Sequence, residues 1–215
     1  MNKLATLALA AATCAGNTGP TWAQGNKLGV YTGTVAVSGT ELGLENVTFS
    51  ANVKVSLPLT SGDKDSAMAE VNDVDKPSAS ATITQWDLAG KNGSPDSDGK
   101  VTSWACKLAS PTEVPMNASG VLNLDYRAKT HSMFVALVGL KPVPLNCVNS
   151  RSGPYKKAQS VGLFFGTNEP DVQPWKALPF KDAAQLTATY KLVPVSSMKG
   201  QNGPLDQTWD LRLVR

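Results

Sequence analysis

Residues 47–56 read Val-Thr-Phe-Ser-Ala-Asn-Val-Lys-Val-Ser. Val47, Phe49, Ala51, Val53 and Val55 fall on one side of a two-residue repeat, and Thr48, Ser50, Asn52, Lys54 and Ser56 fall on the other. Successive side chains of an extended chain point to opposite faces, so this stretch makes a strand with one face in a core and one in water. The same period returns at Leu186, Ala188, Tyr190 and Leu192, and again at Trp209, Leu211 and Leu213. Further strand-like runs occupy 29–38, 79–88, 101–108, 120–127, 133–140, 143–148 and 160–166. Within 79–88 the apolar parity switches, from Ala81 and Ile83 to Trp86 and Leu88. One extra residue near Thr84 or Gln85, a bulge, would produce that switch.

Clusters of turn formers separate these runs, at Leu59–Asp65, Asn72–Ser78, Gly90–Gly99, Asn149–Pro154 and Ser196–Pro204. Gly, Pro, Asn and Asp supply the dihedrals that reverse a chain. A capped helical stripe is absent from the sequence, and Pro179 limits 175–185 to one helical turn. The expected fold is all-β, an immunoglobulin-like β-sandwich of about ten short strands, with a closed β-barrel as the alternative.

The first 23 residues have the form of a secretory signal. Asn2 and Lys3 precede the apolar or small run Leu4–Thr13, then Asn17, Gly19 and Pro20, and Thr21-Trp22-Ala23 has the small-x-small form of a cleavage site. A ten-residue run is too short to cross a bilayer, which takes about 20 residues. The expectation is an exported chain, periplasmic or extracellular, with residues 24–215 as a single domain and no transmembrane segment. Lipidation at Cys14 is the rival reading. Cleavage leaves Cys106 and Cys147, and an even cysteine count in an oxidising compartment predicts a disulfide between them.

Composition narrows the function. The chain has 215 residues, 17% of them charged, and a formal net charge of +3, too little for a nucleic-acid footprint. One histidine and three cysteines leave little for a His/Cys metal cage or a His-based catalytic centre. The sequence contains no G-x-S-x-G, H-E-x-x-H, P-loop or dinucleotide fingerprint, so neither a cofactor, a metal site nor a catalytic residue is assigned. His131 reads as a surface or strand-end residue. Asp63, Asp65, Glu70, Asp73 and Asp75, and the pair Asp96 and Asp98, read as solvated loops. Trp175, in a proline-rich connection, and Tyr155, beside Lys156 and Lys157, are the candidate ligand-binding residues. Asn46-Val47-Thr48 and Asn117-Ala118-Ser119 fit the glycosylation pattern and read as incidental.

Several segments together resemble subunits of chaperone–usher fimbriae. They are Gly33-Thr34-Val35-Ala36-Val37-Ser38-Gly39 near the start, Ser160-Val161-Gly162-Leu163, Leu178-Pro179-Phe180, Leu186-x-Ala188-x-Tyr190, and the terminal Trp209-x-Leu211-x-Leu213. The resemblance covers about a third of the chain, without an early cysteine or a penultimate tyrosine. It implies an incomplete sandwich filled by an N-terminal strand of the next subunit. Residues 24–37 would be the donor, through Leu28 and Val30 or through Tyr31, Val35 and Val37. The strand with Trp209, Leu211 and Leu213 would be gripped by a periplasmic chaperone, and other subunits would be the partners. The alternative is a self-contained periplasmic or secreted binding module that recognises a carbohydrate or inhibits an enzyme.

Overall fold

The computed structural model describes residues 28–41, 45–72, 77–91, 95, 97–167, 175–193 and 202–215. The signal segment and Cys14 lie outside them. Thirteen strands follow one another, with no helix among the described residues: β1 Val30–Glu41, β2 Glu45–Gly62, β3 Ser66–Asn72, β4 Ala79–Lys91, β5 Ser103–Leu108, β6 Thr112–Asp125, β7 Thr130–Gly139, β8 Val143–Asn149, β9 Gly153–Gln159, β10 Gly162–Gly166, β11 Leu178–Pro179, β12 Gln185–Leu192 and β13 Asn202–Val214. The all-β expectation holds. The strand count is higher than expected, and several strands are longer. The alternation at 47–56 belongs to the 18-residue β2. The predicted helical turn in 175–185 is replaced by the two-residue β11 and a reversal at Asp182–Gln185.

All the strands hydrogen-bond into one antiparallel sheet, in the order β12-β13-β1-β2-β3-β6-β4-β5-β8-β9, with β7 on β6 and both β10 and β11 on β7. The long strands β2 and β6 organise it. β4 pairs with the first part of β2 and β3 with its end, and the same two strands pair with successive parts of β6. Between β2 and β6, therefore, β3 and β4 lie end to end. The expected bulge is present: Ser50 pairs with Gln85 and Ala51 with Ile83, leaving Thr84 as the extra residue. Its hydroxyl donates to the Ser50 carbonyl at 3.1 Å. The shift lets Ile83 and Trp86 both point inward.

Laid flat, five strand steps would put β13 and β7 about 24 Å apart. Yet the rings of Trp209 on β13 and His131 on β7 are 5.8 Å apart. The sheet folds over, and its apolar faces meet in one continuous core containing Tyr31, Val35, Val53, Ile83, Leu122, Val135, Phe165, Trp209 and Leu211. Cys106 and Cys147 pair directly across β5 and β8 and are joined by a disulfide, so the predicted bond is present.

β10 is only five residues long and pairs on one side. Its other edge faces the core near β13, where a buried N–H or C=O without a partner would cost stability. The buried side chain of Gln207 meets both needs at Gly166. Its Nε2 donates to the Gly166 carbonyl at 2.9 Å, and its Oε1 accepts the Gly166 N–H at 2.7 Å. One amide side chain thus substitutes for a stretch of neighbouring strand. Gly166 itself has φ +147°, and a Cβ there would lie 2.2 Å from the Met133 carbonyl oxygen, so no other residue fits.

Replacing Gln207 with Leu keeps the volume but strands both Gly166 backbone groups. We expect a loss of about 3 kcal/mol, read as a lowered midpoint in denaturant unfolding with an unchanged slope. A loss below about 1 kcal/mol would show that the amide bridge is dispensable.

Candidate functional site

The residues proposed for strand exchange are mostly interior. Tyr31, Val35 and Val37 on β1 and Trp209 and Leu211 on β13 are buried, Val30 and Leu213 are half-buried, and Leu28 is 40% exposed. The Tyr31 hydroxyl donates to the Ala183 carbonyl. Burial, the neighbouring Tyr126 and Asp182 push its pKa up to about 12, against a lowering influence of Arg215, so it stays neutral. β1 does not project. It pairs with β2 from Val30↔Pro58 to Glu41↔Val47, and with β13 from Val30↔Val214 to Glu41↔Asn202. Of residues 24–37, proposed as a donor strand, 30–37 are therefore an internal strand of their own sheet, and 24–27 lie outside the described residues.

The candidate ligand residues lie apart from one another in the fold. Tyr155, 39% exposed, sits on β9 opposite Cys147, with its hydroxyl 3.9 Å from Cys106 Sγ, so it packs against the disulfide. Trp175 is half-buried, and its indole Nε1 is shielded from solvent. Next to it, the Lys176 ammonium lies 4.9 Å from the centre of the Tyr190 ring on β12.

The carboxylates serve local structure. Asp63 Oδ1 accepts the N–H groups of Asp65 and Ser66, at 2.8 and 2.7 Å, and those bonds hold its pKa below the usual value. Asp65 is 3.6 Å from Arg127, and Asp98 is 2.6 Å from Arg151. Glu70 is exposed on β3. Asp73, Asp75 and Asp96 fall outside the described residues. Among the described residues no three His, Cys, Asp or Glu side chains converge. Asn46 is exposed, whereas Asn117 is half-buried with a shielded carbonyl oxygen.

His131 departs from the sequence reading. It stands near the start of β7, as expected, but it is 1% exposed. Its ring meets Trp209 edge-on at 5.8 Å and Phe180 at 6.3 Å. The Leu178 backbone lies close enough to favour the protonated ring, yet neither nitrogen reaches a partner with hydrogen-bond geometry. Burial outweighs that contact and holds the pKa below its ordinary 6.5. This is a neutral core residue with no access to a substrate.

The outer strands differ in how their free edges are protected. β9 carries Pro154, which has no N–H to offer, together with Lys156 and Lys157, devices that discourage strand addition. The β10 edge is short and bridged by Gln207. β12 is eight residues long, without proline or bulge, and among the described residues no strand pairs its far edge. The Leu213 N–H donates to the Ala184 carbonyl at 2.9 Å. Hydrogen-bonded pairs recur at alternate residues of an antiparallel ladder, so Leu186, Ala188, Tyr190 and Leu192 turn their backbone groups toward β13. Thr187, Thr189 and Lys191 turn theirs outward. This open edge is the candidate interaction site, and the alternation at 186–192 alone did not identify it. Comparison of the chain with family models, curated proteins and solved structures finds no match.

Folded His131 stays neutral below the pH at which the unfolded chain takes up a proton at 6.5. Its contribution to stability is therefore intact above pH 6.5 and declines as pH falls below it, through the depressed folded value. Unfolding midpoints measured from pH 7.5 to 4.5 should fall, and His131→Phe should flatten that part of the profile. An unchanged slope in the variant would assign the acid sensitivity to other groups.

Proposed function

We propose that this chain is an exported, self-contained β-sandwich that works by protein recognition through its sheet edges and surfaces. It belongs to the binding-module class rather than to subunits completed by a neighbour's first strand. The observation that supports this reading is the enclosure of β1. Its backbone is paired on both sides by strands of the same chain, and its inward side chains, Tyr31, Val35 and Val37, already fill the core. A subunit awaiting a donor would instead keep an unfilled groove and an unpaired edge along its core. Export accounts for the disulfide at Cys106 and Cys147 and for the apolar segment at the start of the sequence.

The chain comprising 24–215 should fold alone at low concentration and unfold in one cooperative transition. A synthetic peptide of residues 24–37, in excess, should neither bind nor raise the unfolding midpoint. A chain that polymerises when dilute, or that the peptide stabilises, would overturn the self-contained reading and restore strand donation.

A further inference from the structure

The open edge of β12 is regular enough for its register with another strand to be worked out. Extended backbone groups on an unprotected edge form a template for a further strand, and natural sheets normally block such edges. Here β9 is blocked by proline and two lysines, and β10 is bridged by Gln207, while β12 has neither proline nor bulge, and its one lysine, Lys191, is held 3.3 Å from Asp206 of the adjoining strand. Thr187, Thr189 and Lys191 present their N–H and C=O outward at every second position. At the near end the Gln185 N–H is already taken by the Asp182 carbonyl, at 3.1 Å.

We propose that this edge pairs with the same edge of a second copy of the chain, antiparallel about a two-fold axis at Thr189. The proposal rests on the self-contained reading above, because the protomer must be folded before its edge is presented. Its basis is self-complementarity. With Thr189 opposite its counterpart, Thr187 faces Lys191 of the other copy, and these outward-pointing groups form hydrogen-bonded pairs that exchange both bonds. On the inner face Leu186 meets Leu192, and the small Ala188 meets the large Tyr190. On the outer face no like charges oppose each other, because Lys191 lies opposite Thr187 and is already 3.3 Å from Asp206 of its own chain. An axis at Ala188 leaves Lys191 facing Gln185, whose N–H is occupied. An axis at Tyr190 stacks two Tyr190–Lys176 pairs at the centre and shortens the overlap. Thr189 therefore is the register that pairs Thr187, Thr189 and Lys191 only with one another, so every N–H it brings into the new ladder is free within β12. The exposed Val193, just beyond β12, falls opposite Gln185 of the other copy.

Such an edge-to-edge contact buries little surface, so the association should be reversible and concentration-dependent. Sedimentation velocity across a concentration series should show a monomer–dimer equilibrium. Thr189→Lys places two ammonium groups opposite each other, and Thr189→Pro removes a donor that bonds nothing within the protomer. Each should weaken dimerisation by about tenfold or more. Both variants give up the hydrogen bond between the Thr189 and Thr208 hydroxyls, 3.2 Å apart on the exposed face, but leave the backbone ladder to β13 in place, so the dilute chain should stay folded with its unfolding midpoint only slightly lowered. Thr189→Cys should form a covalent dimer under mild oxidation, whereas Lys156→Cys on β9 should not. A parent chain that stays monomeric at every concentration, or a dimer that survives both Thr189→Lys and Thr189→Pro, would overturn the pairing. Either result leaves the self-contained reading intact as long as the dilute chain is folded.

Discussion

The antiparallel pairing of β1 with β13 is the constraint on which the rest of the structure depends. It joins the first described strand to the last and places Tyr31, Val35, Trp209 and Leu211 in a single core. Without it, β1 would lose one of its two partners and the β12–β13 pair would lose its tie to the sheet, because among the described residues β12 pairs with β13 alone. The pairing also spans almost the whole sequence. Contacts between such distant residues carry a large loop-closure cost before they yield any stabilisation, which favours slow folding. The core cannot close until the C-terminal strand is present.

Much of this architecture was legible in the residues. The period of two located most strands, and a single parity switch placed the Thr84 bulge to within a residue. The two cysteines left after the expected signal cleavage sufficed to predict the disulfide. The misses have physical causes. β3 reads Ser-Ala-Met-Ala-Glu-Val-Asn, with alanines where a strand would show larger apolar side chains, so it looks like part of an acidic turn region. β9 carries the proline and lysines of an edge strand and therefore looks like a loop. His131 and Gln207 are polar residues with interior roles, which sequence pattern treats as surface. Their places are fixed by residues far away in the chain, Trp209 and Phe180 for one and Gly166 for the other.

The candidate site was legible only in part. The repeat at 186–192 announces a strand but says nothing of its neighbours, and the difference between an inner strand and an edge lies in the strand order. The first and last described strands, which carry part of the resemblance to fimbrial subunits, pair with each other. Their partners, however, lie within the same chain. The strand addition proposed above accordingly lies at the outer edge of β12, not at the first strand.

The register of β1 with β13 has a mechanical consequence. Val30 lies opposite Val214, so both ends of the described chain leave the fold at the same place. Tension applied through the two ends would load the ladder one rung at a time and peel the strands apart like a zip. Strands pulled from opposite ends would instead have to break all their rungs together. A molecule held in this way yields at low force.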